Sequence, residues 1–277
     1  DDSLDGYSEV TVNVSGGGIT PTGTKSITAN GTNIDVAQYA YADVAVPTGY
    51  SSDDVAIRNY TDTNMVLPNA TRIAPYAFKN CPMTTFSAPN VERLSDKNNA
   101  DGVGAYALAE CANLTSVSLP KLGGAVGSGG YQFYKCTSLT TVDAHLMGLG
   151  QHMFDECTAL QTFASSCTSQ MNNYAFTGCT NLLSVDLKTS KIQGNEFNGC
   201  TKFKMLVLRN ENVVTLGNIN SFTNSPFASG KAGGVLYVPN DLIASYQAAS
   251  NWSTILGYAT NQIKSIESTH TDQNAPI

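Results

Sequence analysis

Six cysteines recur along the chain at similar intervals, and a large apolar residue lies three positions before each of them. The cysteines are Cys81, Cys111, Cys136, Cys157, Cys179 and Cys200, at intervals of 30, 25, 21, 22 and 21 residues. The apolar residues are Phe78, Leu108, Phe133, Phe154, Phe176 and Phe197. Self-similarity of this kind indicates a repeat protein, in which each unit buries its apolar side only against its neighbours. The repeat therefore restricts the chain to a stacked, solenoid-like architecture.

A short alternating segment follows each cysteine. In the clearest copies it reads CANLTSVSLP and CTNLLSVDL, that is C-x-x-L-x-x-V-x-L. The alternation predicts a strand in which Val117 and Leu119 point inward while Ser116 and Ser118 point outward. The F-x-x-C segment has helical spacing, which places both side chains on one inward face. The pattern predicts a β-rich α/β solenoid of short strands and short helical or turn segments, with stacked strands about 4.8 Å apart.

The full pattern, I-x-x-Y-A-F-x-x-C-x-x-L-x-x-V-x-L-P, is similar to the repeat of the BspA-like leucine-rich repeat proteins. Residues 73–89, IAPYAFKNCPMTTFSAP, carry the resemblance at its start, and it covers roughly residues 57–235. It implies a right-handed leucine-rich repeat superhelix. Proteins of that family are usually exported to bacterial surfaces, where they adhere to partners. The resemblance thus implies a secreted, extracellular protein that adheres to a partner. We expect the partner to be a host or neighbouring-cell protein or glycan, and we expect no enzymatic activity.

Four segments are expected along the chain: an N-terminal β-module at 1–50, the solenoid at 51–234, a cap at 235–267 and a flexible tail at 268–277. The β-module reads ITANGTNIDVAQYAYADVAVP, with Asn30-Gly31 as a turn signal. A preceding copy is truncated at Asp1, which suggests a chain cut from a longer protein. The module resembles those found before leucine-rich repeats in gut bacteria and in some phage tail proteins. An alternative function is therefore a structural or receptor-binding component of a phage tail or virion.

The predicted cap is a strand, a helix and a strand, since a solenoid end otherwise exposes its core. Val235 to Val238 reads as the first strand. Pro239 and Asn240 open a helix whose apolar residues have helical spacing: Leu242, Ile243, Tyr246, Ala249 and Trp252. The last strand is expected at residues 263–266. Two inserts, VERLSDKNNADGVG and KLGGAVGSGG, depart from the repeat and should form loops.

Composition excludes two classes of partner. Charged residues make up 13% of the chain and the formal net charge is −7. Nucleic acids and anionic membranes are held through Lys and Arg, so neither is an expected partner. No apolar run approaches the roughly 20 residues that span a bilayer, so membrane insertion is not expected either.

No catalytic, cofactor or metal site is expected. His152 occupies the position that holds tyrosine in other repeats, whereas His145 lies in a loop and His270 in the tail. The outward carboxylates Asp143 and Asp186 have no basic partners in the pattern. Cysteines on adjacent turns lie within disulfide reach, but parallel side chains give poor disulfide torsions. We favour reduced, buried thiols, with Cys167, which is out of register, as the exposed exception.

The outward face of the predicted sheet is the candidate partner-binding site. It is polar and nearly free of aromatic residues, and its C-terminal end is more apolar. A partner is therefore expected near Met205 and Val207, or on the loops at 92–104 and 121–130. The candidate residues are Ser116, Ser118, Thr141, Asp143, Thr162, Ser184, Asp186, Met205 and Val207.

Overall fold

A computed structural model describes most of the repeat region and the cap. The described residues are 26–29 and 32–35 (backbone only), 64–66, 78–91, 106–122, 130–144, 146, 148–165 and 171–267. The chain divides into two compact units, 1–145 and 146–277. Each contains short parallel strands joined by turns, with little helix, which confirms the predicted leucine-rich repeat solenoid.

The first unit contains a hairpin and a four-stranded parallel sheet. Strands β1 (Ser26–Ala29) and β2 (Thr32–Asp35) pair antiparallel across residues 30–31, where the sequence places the turn signal. The sheet then runs in chain order through β3 (Asn64–Val66), β4 (Thr85–Ser87), β5 (Ser116–Leu119) and β6 (Thr141–Ala144). Val117 and Leu119 are buried while Ser116 and Ser118 are half-buried, so the predicted alternation is confirmed.

The second unit contains two parallel sheets. The larger has five strands in the order β7 (Thr162–Ser165), β8 (Ser184–Leu187), β10 (Met205–Leu208), β12 (Val235–Val238) and β13 (Gln262–Ser265). The smaller pairs β9 (Lys191–Ile192) with β11 (Thr215–Leu216). Each repeat of this unit therefore contributes one strand to the larger sheet, and two repeats also contribute a short strand to the smaller one.

The F-x-x-C segment forms a tight turn, and backbone geometry explains why it does not continue as a helix. The backbone N–H of Cys179 donates to the carbonyl of Phe176 at 3.1 Å, which closes the turn. The residue just before each register cysteine then has φ between 57° and 77°, in the left-handed region. That conformation costs a non-glycine residue about 1–2 kcal/mol and ends the helical path. These residues are Asn80, Glu110, Lys135, Glu156, Gly178 and Gly199.

The thiol groups explain why the repeat uses cysteine at this position. Four of the thiols donate a hydrogen bond to a carbonyl in the preceding turn. Cys179 bonds Phe154 and Cys200 bonds Phe176, both at 3.0 Å. All six register cysteines are buried and free of disulfides, as expected. Burial raises the pKa of the Cys179 and Cys200 thiols well above the ordinary value. Cysteine here fills core volume and also donates to a carbonyl oxygen, which an alanine could not do.

Thiol labelling checks this burial. The thiolate is the reactive form, so buried thiols of raised pKa should react slowly. We expect a maleimide to modify native protein at no residue other than Cys167, which lies outside the described residues. The same reagent in denaturant should modify all seven cysteines, which supplies the control. Rapid modification of Cys179 or Cys200 in native protein, located by mass spectrometry, would contradict the packing.

A further turn, which the cysteine pattern missed, follows the sixth register cysteine. Phe222 stacks on Phe197 at 5.6 Å between ring centroids and continues the row of rings formed by Phe154, Phe176 and Phe197. Asn224 has φ 57°, like the residues before the register cysteines. Ser225 takes the place of cysteine, is buried, and donates to the Phe222 carbonyl at 2.7 Å. Serine at this position hid the turn from the sequence pattern.

The cap has the predicted order of elements, but its helix is broken. A 3-10 helix at Asn240–Leu242 leads into α1 (Ile243–Ala248), and α2 (Trp252–Leu256) follows. The prediction of one continuous helix is wrong because Asn251 adopts φ 62°. Its Nδ2 donates to the Leu216 carbonyl at 2.7 Å, and Trp252 Nε1 donates to the Val214 carbonyl at 2.7 Å. The break thus turns Trp252 into the core.

Candidate functional site

In the first unit the outward strand positions form a small, hydrogen-bonded polar surface. Strand register places Ser116 beside Thr141 and Ser118 beside Asp143. Ser118 Oγ donates to Asp143 Oδ2 at 3.0 Å. Thr141 and Asp143 are exposed, so this part of the surface is open to a partner. Each unit has one main sheet, made of β3, β4, β5 and β6 in the first unit and of β7, β8, β10, β12 and β13 in the second. We call the outward positions of each main sheet the outer sheet face of that unit.

In the second unit, two of the candidate residues are not accessible. Ser184 is 6% exposed and Val207 is 5% exposed, although both occupy outward positions. Register places Ser184 between Thr162 and Met205, on a strand that has a neighbour on each side. The expectation of accessible side chains is therefore wrong for Ser184 and Val207. Thr162 is exposed, while Asp186 and Met205 are half-buried.

Asp186 has a basic partner that the sequence pattern did not indicate. Arg209 Nε lies 2.8 Å from Asp186 Oδ1, and Arg209 Nη2 lies 2.6 Å from Asp186 Oδ2. Hydrogen bonding to Asp186 raises the pKa of Arg209. Arg209 directly follows β10, and Asp186 lies on the adjacent strand beside Val207. This bidentate pair fixes both charged groups on the outer sheet face of the second unit.

Tyr237 and Lys264 continue the same row and were also missed. Strand register aligns Val207 with Tyr237 and Tyr237 with Lys264. Lys264 Nζ lies 6.0 Å from the centroid of the Tyr237 ring. The expectation of a face nearly free of aromatic side chains therefore does not hold at its C-terminal end, although Tyr237 is buried. Aligning VLYV with MLVL would have revealed Tyr237, and adding QIKS to the alignment would have revealed Lys264.

The described histidine forms a structural contact. His152 Nδ1 lies 2.6 Å from Asp155 Oδ2, and the His152 ring stacks on Tyr174 at 4.6 Å. Both ring-bearing residues have positive φ, so His152 occupies the tyrosine position of the repeat, as predicted. His145 and His270 lie outside the described residues. Across the described ranges, no group of three or more His, Cys, Asp or Glu side chains could hold a metal ion.

Glu196 is a fully buried carboxyl group in the turn before Phe197. Its Oε1 accepts a hydrogen bond from the backbone N–H of Gly194 at 2.6 Å, while Oε2 has no hydrogen-bond partner among the described residues. Burial raises the pKa of this carboxyl above its ordinary value. Because one oxygen is buried without a partner, the charged form is the less favourable one in the folded chain.

Because this carboxyl is buried, we expect the free energy of unfolding of the chain to depend on pH. A carboxyl whose pKa is higher in the folded than in the unfolded chain stabilises the fold below the unfolded pKa, and that stability is lost as pH rises through the folded pKa. We expect the free energy of unfolding of Glu196→Gln to increase relative to that of the native sequence as pH rises above about 4.5. Denaturant titrations of both chains from pH 4 to pH 8 measure the difference. A difference that is constant with pH would contradict the prediction.

Comparison with known proteins agrees with the repeat architecture. A family model described as BspA type leucine rich repeat region matches residues 56–163 and 101–229, in six copies. A search of curated proteins finds no match.

Two solved structures are among those similar to the chain. One is a leucine rich cell surface protein from Faecalibacterium prausnitzii A2-165, with 14% identity over 78% of this chain and 92% of that one, at a TM-score of 0.31. The other is a leucine-rich repeat protein from Bacteroides ovatus ATCC 8483, with 17% identity over 77% of this chain and 65% of that one, also at 0.31. The chain thus spans less than two thirds of the Bacteroides protein. Because the family model covers well over half of the 277 residues, the chain belongs to the BspA-type leucine-rich repeat family.

Proposed function

We propose that this chain is an extracellular, surface-displayed protein that adheres to a macromolecule through its outer sheet face and catalyses no reaction. The exposed polar side chains on the outer sheet face of the first unit support this proposal. Thr141 and Asp143 are exposed there, beside Ser116 and Ser118. Short hydroxyl and carboxylate groups on a rigid parallel sheet present donors and acceptors in fixed positions. Such fixed positions favour recognition because little side-chain entropy is lost on binding.

A host or neighbouring-cell protein or glycan is the proposed partner. Both offer hydroxyl, amide and charged groups that match the hydroxyls and carboxylates of the face. Nucleic acid is not proposed, since the formal charge of the chain is −7. No helix in the described ranges has the length and hydropathy of a membrane span.

A binding assay with matched variants tests the site. Binding of the purified chain to arrays of mammalian glycans and extracellular matrix proteins would be measured. We expect Thr141→Arg with Asp143→Arg to weaken binding at least about tenfold, because two exposed side chains of the face change in size and charge. Ala112→Arg, an exposed change outside the strands, is the control and should leave binding unchanged. Equal loss in both variants would exclude the outer sheet face.

A second function, in a phage tail or virion, is favoured by the N-terminal hairpin of β1 and β2. Protease shaving of intact cells and proteomics of purified phage particles distinguish the two. Peptides released from living cells support surface display, whereas recovery only in particles supports the tail component. Turnover in a hydrolase panel, abolished by one point substitution, would overturn the non-enzymatic part of the proposal.

A further inference from the structure

The inward side chains of the second unit's main sheet are less buried on its last strand, β13, than on the strands before it. Register aligns Val185 with Leu206, Leu206 with Leu236, and Leu236 with Ile263. The first three side chains are fully buried, but Ile263 is only half-buried. Strand β13 lies at the edge of this sheet and pairs with β12 alone within the described residues. The apolar side of the last strand is therefore incompletely covered.

A groove adjoins this strand. It has a volume of about 570 Å³ and lies between α2 and β13. Leu256 and Ile263 supply its apolar surface, while Ser253 and Gln262 contribute exposed polar groups. Lys264 is the charged residue among those lining the groove. Grooves of about 300–1,000 Å³ are large enough to receive several side-chain groups of a ligand.

The backbone at the same edge is suited to pairing with a further strand. The N–H of Gln262 donates to the Gly234 carbonyl at 2.9 Å, so its peptide groups face β12. Because residues of a parallel strand alternate in the direction of their peptide groups, the N–H and C=O of Ile263 face the opposite edge. Main-chain groups and a side-chain groove on one side of a strand are the two requirements for recognition by strand addition.

We propose that β13 binds an extended peptide of a partner protein, which adds as a strand and inserts a branched apolar side chain into the groove beside Leu256 and Ile263. The peptide lies along the edge of β13 opposite β12. The ammonium group of Lys264 favours an acidic residue in the peptide. A second copy joining through its strand β3 fits less well, because Met65 of β3 is already buried within its own chain.

Labelled alternating peptides supply the probe. A small set would carry valine, isoleucine or leucine at inward positions and threonine or glutamate at outward ones, with binding followed by fluorescence anisotropy on the full chain. Ser253→Trp fills the groove and should weaken binding at least about tenfold, by excluding the apolar side chain. Thr254→Trp changes the next residue of α2, which is exposed and does not line the groove, and should change the affinity less than about twofold.

Hydrogen exchange supplies the second measurement. Peptide binding should slow exchange of the Ile263 amide, while the Gln262 amide, already bonded to Gly234, should change little. Three results would overturn the proposal: no peptide binds at millimolar concentration, peptides with N-methylated backbones bind equally well, or the Ile263 amide is protected in the free chain until residues 268–277 are removed. Dimerisation abolished by Ser253→Trp would also overturn it, in favour of a second copy. Adhesion through the outer sheet face is measured separately and should survive Ser253→Trp, so either proposal can fail alone.

Discussion

Replacing Phe176 with alanine is expected to lower the free energy of unfolding by about 3–5 kcal/mol, because the change leaves a cavity in a closely packed core. Phe176 is fully buried. Its ring stacks between Phe154 at 5.4 Å and Phe197 at 5.7 Å, so both neighbouring turns lose contacts. Stability in a repeat protein depends on such interfaces between adjacent units. Denaturant unfolding followed by circular dichroism measures the change.

Leu183→Ala is the matched control for this prediction. Leu183 belongs to the same repeat but is 41% exposed, so its truncation should cost less than about 1 kcal/mol. A cost for Phe176→Ala below about 1 kcal/mol would contradict the role given to the stacked rings. Equal costs for the two variants would indicate that the repeat relaxes around the missing ring.

The repeat was predictable because it depends on residues that are close in sequence. The F-x-x-C turn and the V-x-L strand are each set by side chains within a few positions, and their burial follows from the helical and alternating periodicities. The inward direction of Val117 and Leu119 is therefore readable from the sequence and confirmed by burial. The role of His152 follows in the same way, from its place in the repeat.

Features that depend on neighbouring turns were not predictable from one repeat. Arg209 reaches Asp186 across 23 residues of sequence, and only strand register brings them together. Ser184 is buried on a strand that lies between two others, although its own alternation places it outward. The additional turn at Phe222 was missed because Ser225 replaces cysteine while keeping the turn geometry. Partner binding by the outer sheet face stays a prediction, since it depends on a molecule outside the chain.

The second large loss of stability is expected from a substitution at Gly233, which lies at the junction between the last repeat and the cap. This residue has φ 92°, and a Cβ atom there would overlap the Thr260 carbonyl oxygen. An alanine at this position combines a left-handed backbone, about 1–2 kcal/mol, with overpacking, about 1–3 kcal/mol, so we expect Gly233→Ala to cost about 2–5 kcal/mol. The displaced oxygen adjoins Asn261, whose side chain bonds both Gly234 and Phe227. The substitution should therefore loosen the attachment of β13.

Gly230→Ala separates the two contributions to this cost. Gly230 also has a positive φ, 70°, but a Cβ atom there would meet nothing within 4 Å. We expect it to cost only the backbone contribution of about 1–2 kcal/mol. Denaturant unfolding of both variants gives the difference, which measures the close approach at Thr260. If the two substitutions cost the same, the junction can move away from the added methyl group, and the cap is held less tightly than the Asn261 hydrogen bonds indicate.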